Sequence, residues 1–246
     1  MELREGIIIK TIKYQESSKI LYILTSEGVV TGLLRNALSL KSKNYSYSHE
    51  GSIIGFDISK SKKNSFDIIT SGTVYNRLIN VQNNYNKMIL MVEIFSYVYD
   101  LYTYIENNTH LYDLTKNIII SINENSFEEY DKYYLLIFKL KLLYLLGVGP
   151  VFKKCVNCGD INITGFDISL GGALCSKHQT NNKYNHEIIS IIEILYLGKI
   201  ELFSSDVFKV FEKYYHELHN FINEYYNYHL PINTKYSNII KKIKPL

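Results

Sequence analysis

The sequence predicts an α+β chain: a small five-stranded β-barrel, then an all-helical domain that carries an inserted metal-binding element. Three observations lead there. The first third alternates short β-branched runs with turn residues. From about residue 84 the apolar spacing changes to that of a helix. All three cysteines fall within one stretch, CVNCGDINITGFDISLGGALCSKH, which runs from Cys155 to His178.

The strands come first. GIIIKTIKY (6–14) is rich in β-branched residues and is bounded by Gly6 and the QESS turn. KILYILTSE (19–27) follows, then Gly28 and VVTGLLR (29–35), so Ser26-Glu27-Gly28 reads as a hairpin. A polar connection, NALSLKSKNYSYSH, leads to EGSIIGFDIS, and KSKKN turns into SFDIITSGTVY. A meander of three strands and then two more, in about seventy-five residues, suits a small closed barrel. The OB-fold is the expected form, and an SH3-like barrel fits the periodicity nearly as well.

The helices follow. Met88, Val92, Phe95, Tyr99 and Tyr102 step by four and three residues and predict one buried helix face. Leu135, Phe138, Leu142 and Leu145 do the same before Gly147, Gly149 and Pro150 stop that helix. Val207, Phe211, Tyr214, Leu218, Phe221 and Tyr225 continue the pattern behind a possible cap at Ser204-Ser205-Asp206. These stripes are expected to be core faces. The polar NVQNNYNK (80–87) marks the boundary, giving domains 1–80 and 81–246, with the metal element at 150–185.

Bulk properties narrow the class. A chain of 246 residues has room for two modest domains, each with a core. Hydrophobic residues at 46% and charged residues at 21% are those of a globular protein. Tyrosine occurs 23 times and tryptophan never, so tyrosines must fill space that Leu or Phe fills elsewhere. The opening MELREGIIIK has no long apolar segment or small-residue cleavage site, so no targeting segment is expected. The longest apolar stretch, YYLLIFKLKLLYLLGVGPVF, is broken by Lys139 and Lys141, so no membrane span is expected and the location is expected to be cytoplasmic. In that reducing compartment, and with an odd count, the cysteines are not a disulfide framework. Residues 1–80 carry eleven Lys and Arg against seven Asp and Glu, whereas the rest carry sixteen against seventeen. A basic module ahead of a near-neutral one points weakly to an anionic partner.

The cysteine stretch has the form C-x2-C-x16-C-x2-H. Each pair can form a tight knuckle, and two knuckles give the four ligands of tetrahedral zinc: Cys155, Cys158, Cys175 and His178. GFDISLGGAL reads as a hairpin turned by Gly171 and Gly172, and Gly159 suits the positive φ that a knuckle needs. One structural Zn2+ is therefore expected. A redox C-x-x-C belongs at a helix start beside a strand, and here it follows a broken helix. A deaminase-type zinc needs H-x-E, and none of the seven histidines is followed in that way. An iron–sulfur cluster is the weaker alternative, and His186 is the nearby rival to His178 as fourth ligand.

At this point the sequence resembles the bacterial RecO family of DNA repair and recombination-mediator proteins. The resemblance is carried by GIIIKTIKYQESSKILYILTSEGVV (6–30), by LKLLYLLGVGPVFKKCVNCG (140–159), and by FDISLGGALCSKH. The C-terminal EYYNYHLPINTKYSNII also resembles the family's last helix and tail. Two departures stand out: LLRNALSLKSKN lacks the glycine pair usual after the third strand, and His178 replaces a common cysteine.

The resemblance implies a protein that is not an enzyme. It implies binding of single- and double-stranded DNA, annealing of complementary strands, and work with RecR to place RecA on strands coated by the single-stranded DNA-binding protein, SSB. It also implies recognition of the acidic, apolar C-terminal tail of SSB by the helical domain, a nucleoid-associated location, and no membrane partner. On that reading the barrel supplies the DNA surface. The expected DNA-binding residues are Lys10, Lys13, Lys19, Arg35, Lys41, Lys43, Lys60, Lys62 and Lys63, with Tyr45 and Tyr47 as loop stackers and Tyr14 and Tyr22 as further aromatic candidates. The zinc element is expected to brace one end of the helical domain, with RecR or DNA docking nearby. No Ser/His/Asp set, carboxylate pair or phosphate-cradling glycine loop is seen. The competing classes are a generic zinc-containing module directed at RNA, and an enzyme that uses the thiols.

Overall fold

A computed structural model describes residues 3–61, 65–179 and 183–230, and divides the chain into two compact units, Met1–Glu124 and Asn125–Leu246. The first unit opens with β1 (Arg4–Tyr14), β2 (Ser18–Thr25), β3 (Gly28–Leu34), β4 (Ile53–Ser59) and β5 (Asp67–Asn76). They close a barrel in the order β1-β2-β3-β5-β4, with β3 and β5 parallel and the other pairs antiparallel. That is the OB-fold arrangement, and each strand falls where the alternation of the sequence places it.

Local chemistry sets the turns. Thr25 pairs with Gly28 across the two-residue β2–β3 turn, and Gly28 takes a φ of 125°, which glycine adopts without steric cost. Ile8, Leu21, Ile23, Leu34, Ile54, Phe56 and Ile69 fill the barrel. Gly72 leaves room for the Tyr47 ring, since a Cβ there would lie 2.5 Å from it.

Helices α1 (Ile79–Gln82), α2 (Tyr85–Leu101) and α3 (Asn108–Glu124) complete the first unit. Asn84 caps α2 by accepting from the Lys87 N–H at 3.0 Å. The buried face of α2 is Met91, Ile94, Phe95, Val98 and Leu101. This corrects the expected stripe, because Met88 and Val92 are exposed. The helix is apolar nearly all round, so several stripes at helical spacing fit its sequence, and packing selects one. Met91, for example, lies against Gly51. Lys87 is also buried, and its ammonium donates to the Ile122 carbonyl at the end of α3 at 2.5 Å. Glu5 of β1 accepts from the Tyr112 hydroxyl and pairs with Lys116, both on α3.

The second unit is built on α4 (Asp131–Leu145), which packs against α5 (His186–Leu197) and α7 (Tyr215–His229). Tyr133, Ile137, Phe138, Leu140, Leu142 and Leu143 of α4 are fully buried. Two of the three lysines in α4 donate to specific oxygen atoms. Lys139 donates to Asn223 Oδ1 at 3.0 Å, and Lys141 donates to the carbonyls of Tyr196 and Gly198 at 3.1 and 2.6 Å, satisfying the C-terminus of α5. The helix expected from Val207 to Tyr225 is interrupted: α6 (Ser205–Phe211) and α7 are joined by a 3-10 turn at Glu212–Tyr214. Phe211, Leu218, Phe221 and Tyr225 are buried as the spacing predicts. No helix of the described residues is long and apolar enough to cross a membrane.

Candidate metal centre and nucleic-acid interface

The metal centre is built on a two-stranded hairpin, β6 (Ile163–Asp167) and β7 (Gly172–Cys175). Gly171 turns it with a φ of 74°. Val151 forms a bridge beside Gly172, donating to the Gly171 carbonyl at 3.1 Å and accepting from Ala173 at 2.8 Å. Val156 N–H donates to the Ala173 carbonyl at 3.0 Å, which lays the first knuckle beside β7.

Each knuckle is closed by its own backbone. Gly159 N–H donates to the Cys155 carbonyl at 2.8 Å, with φ at 78°. His178 N–H donates to the Cys175 carbonyl at 3.0 Å. These turns bring together the Sγ atoms of Cys155, Cys158 and Cys175 and a ring nitrogen of His178, all within 4.8 Å of one another. Cys158 and Cys175 Sγ are 3.7 Å apart, and His178 Nδ1 lies 3.6 Å from Cys155 Sγ and 3.3 Å from Cys175 Sγ. A tetrahedron with metal–sulfur bonds of about 2.3 Å has edges of about 3.8 Å, so the four donors already stand near the spacing that a tetrahedral ion sets. The cluster could hold a metal ion.

Two further features fit a metal. Burial pushes the Cys155 thiol up, but backbone N–H groups of Cys175, Asn157 and Cys158 outweigh it and bring the thiol down to about 6. A thiol so tuned offers a thiolate, the form that binds metal. The apolar cluster around the donors is also small: Cys155, Leu174 and Cys175 are buried, with Val156 and Ile163 partly so, while the buried Phe166 packs against Phe152 and Phe221. Helix α7 fastens the hairpin turn, through Tyr225 Oη to the Gly171 carbonyl at 3.4 Å and through His229 Nε2 to the Ile168 carbonyl at 2.6 Å, and Tyr225 also donates to the Val148 carbonyl ahead of the hairpin.

The expected DNA-binding residues lie on the barrel, and the structure sorts them. Lys13 pairs with Lys19 and Lys19 with Leu34, so Lys13, Lys19 and Arg35 line up across β1, β2 and the end of β3. Leu33 pairs with Ile68 and Ile68 with Ser59, which brings Lys60 to the same end. Three connections meet at this end: the β1–β2 turn, the β3–β4 connection and the β4–β5 connection. The Leu38 N–H donates to the Ser17 carbonyl at 2.9 Å, and the Tyr14 ring stands edge-on to Phe66. Lys13, Arg35, Lys41, Lys43 and Lys60 are exposed there. Lys62 and Lys63 lie outside the described residues.

Four of the expected residues have partners within the protein, and one of them, Tyr47, is buried. Tyr47 is not a free loop aromatic. It is 3% exposed, belongs to the barrel core, and donates to Asn44 Oδ1 at 2.8 Å. The polar YSY run hides it because Lys43–Tyr47 forms a 3-10 turn, capped by Ser42, that points only this ring inward. Lys10 stands over the Tyr99 ring of α2 at 3.8 Å, beside Tyr22, so both residues join the barrel to its helix. Lys19 donates to the Ser48 carbonyl and hydroxyl at 2.9 and 3.1 Å, fastening the long connection, and burial lowers its ammonium pKa. Tyr45 is half-buried, edge-on to His49. Sequence reasoning gave no role to Phe66, although an aromatic two residues after the basic KSKKN run was the available signal.

Comparison with known proteins adds to this geometry. The family model described as Recombination protein O N terminal matches residues 1–77, and that described as Recombination protein O C terminal matches residues 82–237. The chain is 28% identical over 214 residues to the DNA repair protein RecO of Listeria monocytogenes serotype 4b, covering 82% of this chain and 79% of that protein. It is 27% identical over 180 residues to the DNA repair protein RecO of Halalkalibacterium halodurans, covering 70% and 67%. The DNA repair protein RecO of an Exiguobacterium species is 23% identical over 181 residues, covering 70% and 68%.

Proposed function

We propose that this chain, which belongs to the Recombination protein O family, is a non-enzymatic recombination mediator in DNA repair. It binds single- and double-stranded DNA and anneals complementary strands. With RecR it helps to load RecA onto single strands coated by SSB, whose acidic C-terminal tail docks on the helical domain. The observation that carries this reading is the barrel end where Lys13, Arg35, Lys41, Lys43 and Lys60 stand exposed on three adjoining connections. OB-folds use the β1–β2 and β4–β5 loops in this way.

The chemistry required is modest. Exposed Lys and Arg neutralise phosphates and release counterions, so affinity falls steeply with salt. Annealing needs no reacting side chain, because holding two strands together raises their effective concentration. One Zn2+ bound by Cys155, Cys158, Cys175 and His178 has a closed shell with no position for substrate, which fits a structural role.

Annealing of two complementary oligonucleotides, bare and coated with SSB, tests the proposal. Acceleration on coated strands is the expected result. Acceleration on bare strands alone would remove the SSB partnership, and acceleration on neither would overturn the function.

A further inference from the structure

We propose that Tyr14 and Phe66 form a base-stacking platform that gives this barrel end a preference for single strands. The inference rests on the DNA-binding reading above and deepens it to named rings and one strand state.

Tyr14 is the last residue of β1 and pairs with Ser18, so its ring is held at the mouth of the β1–β2 turn. Phe66 immediately precedes β5. The two ring centroids are 5.9 Å apart with planes at 77°, an edge-to-face contact between two connections that are far apart in sequence. Both rings are half-buried, and neither belongs to the core cluster that fills the barrel.

The other aromatic candidates of this unit already have partners. Tyr47 is in the core, Tyr45 is edge-on to His49, and Tyr22 is edge-on to Tyr99. The outer face of β2 and β3, a usual OB-fold contact surface, is partly taken by the chain's own helices. Tyr22 of β2 stands edge-on to Tyr99 of α2, and α3 packs against both β2 and β3. Tyr14 and Phe66 are left as the aromatic pair beside exposed cations, Lys13 on one connection and Lys60 on the other.

An edge-to-face pair offers a base one ring face to lie on and a second ring as a wall. A base inside a duplex has both faces covered by its neighbours and cannot use such a surface, whereas an unstacked base can. Phosphate contacts serve both kinds of DNA, so the rings are what separates them.

The chain contains no tryptophan, so Phe66→Trp would supply a single reporter. Fluorescently labelled oligo-dT and a duplex of equal length would be titrated with the full-length protein by anisotropy, alongside Trp emission. The expected result is quenching by oligo-dT and little change with duplex. Tyr14→Leu and Phe66→Leu should each weaken oligo-dT binding by about 5- to 100-fold and leave duplex binding within about twofold, while Tyr14→Phe keeps wild-type affinity. Oligo-dT that binds without quenching, or leucine variants that weaken both DNAs equally or neither, would overturn the stacking platform while leaving the DNA reading intact. Failure of the wild-type protein to bind either DNA would overturn both.

Discussion

The barrel and the metal hairpin are both small β-structures, but they are held together by different means. The barrel encloses a row of fully buried residues that includes Ile8, Leu21, Ile23, Leu34, Ile54 and Phe56. Each such side chain contributes about 1.5–3 kcal/mol by leaving water. The hairpin gathers only Leu174 and two cysteines around its donor cluster, and its other large buried side chain, Phe166, packs against Phe152 and Phe221 of α7. The difference teaches where a metal ion fits: where the chain closes on itself, its own side chains fill the interior, and where it forms an open hairpin, four donor atoms stand together at the spacing of metal ligands.

The largest test is to remove the metal. Structural zinc contributes on the order of 10 kcal/mol to such an element. Chelation, or Cys175→Ser, is expected to bring the amides of Ile163–Asp167 and Gly172–Cys175 to near-unprotected hydrogen exchange. The amides of Ser18–Thr25 in the barrel should keep their protection. Equal loss in both regions would erase the contrast, and no loss in either would mean that the hairpin stands without its ion.

The reverse test acts on the barrel. Phe56 is completely buried, and Phe56→Ala is expected to cost about 3–5 kcal/mol, read as a lower urea midpoint for the first unit. Bound zinc should stay at one equivalent per chain, measured by metal analysis. Loss of zinc in that variant would show that the hairpin depends on the barrel.

A smaller effect sharpens the account of how the barrel is tied to α3. Burial pushes the Glu5 carboxyl up, but hydrogen bonds from Lys116 and Tyr112 outweigh it and hold the group below its ordinary 4.5. A carboxyl depressed in the folded state contributes stability above its unfolded value and loses it as pH falls through the folded one. The stability of the first unit should therefore be flat above 4.5 and decline below it. Glu5→Gln should remove that part of the decline. The site is partly exposed, so the effect is about 1 kcal/mol or less in urea melts at stepped pH.

What could be read from the sequence follows the same division. The strands were legible because alternation of period two and the turn at Ser26-Glu27-Gly28 are local signals. The knuckles were legible because C-x2-C and C-x2-H fix their own geometry, and Gly159 and Gly171 take the positive φ expected of such turns. Tertiary choices were not legible. Met88 and Val92 had the right spacing and the wrong face, since α2 offers more than one apolar stripe and its packing picked Met91 and Ile94. Tyr47 looked like a loop residue because its buried partner, Gly72, lies on a distant strand. Lys10 and Lys19 were expected to face DNA and Lys87 fell in the polar boundary run, and in the structure each ammonium meets a specific ring or carbonyl. The strand-to-helix change near residue 80 was visible, whereas the grouping of α1–α3 with the barrel depends on contacts such as Glu5 with Lys116.

The central claim is that the barrel's exposed rim carries DNA binding while the metal serves the hairpin. The most direct test is the affinity of the full-length protein for a labelled single-stranded oligonucleotide at moderate salt, before and after the metal is stripped. The account predicts that affinity stays within about twofold, with the same slope against salt, because no phosphate contact is lost. A fall of about tenfold or more, with a shallower slope, would contradict it and place phosphate contacts on the metal hairpin.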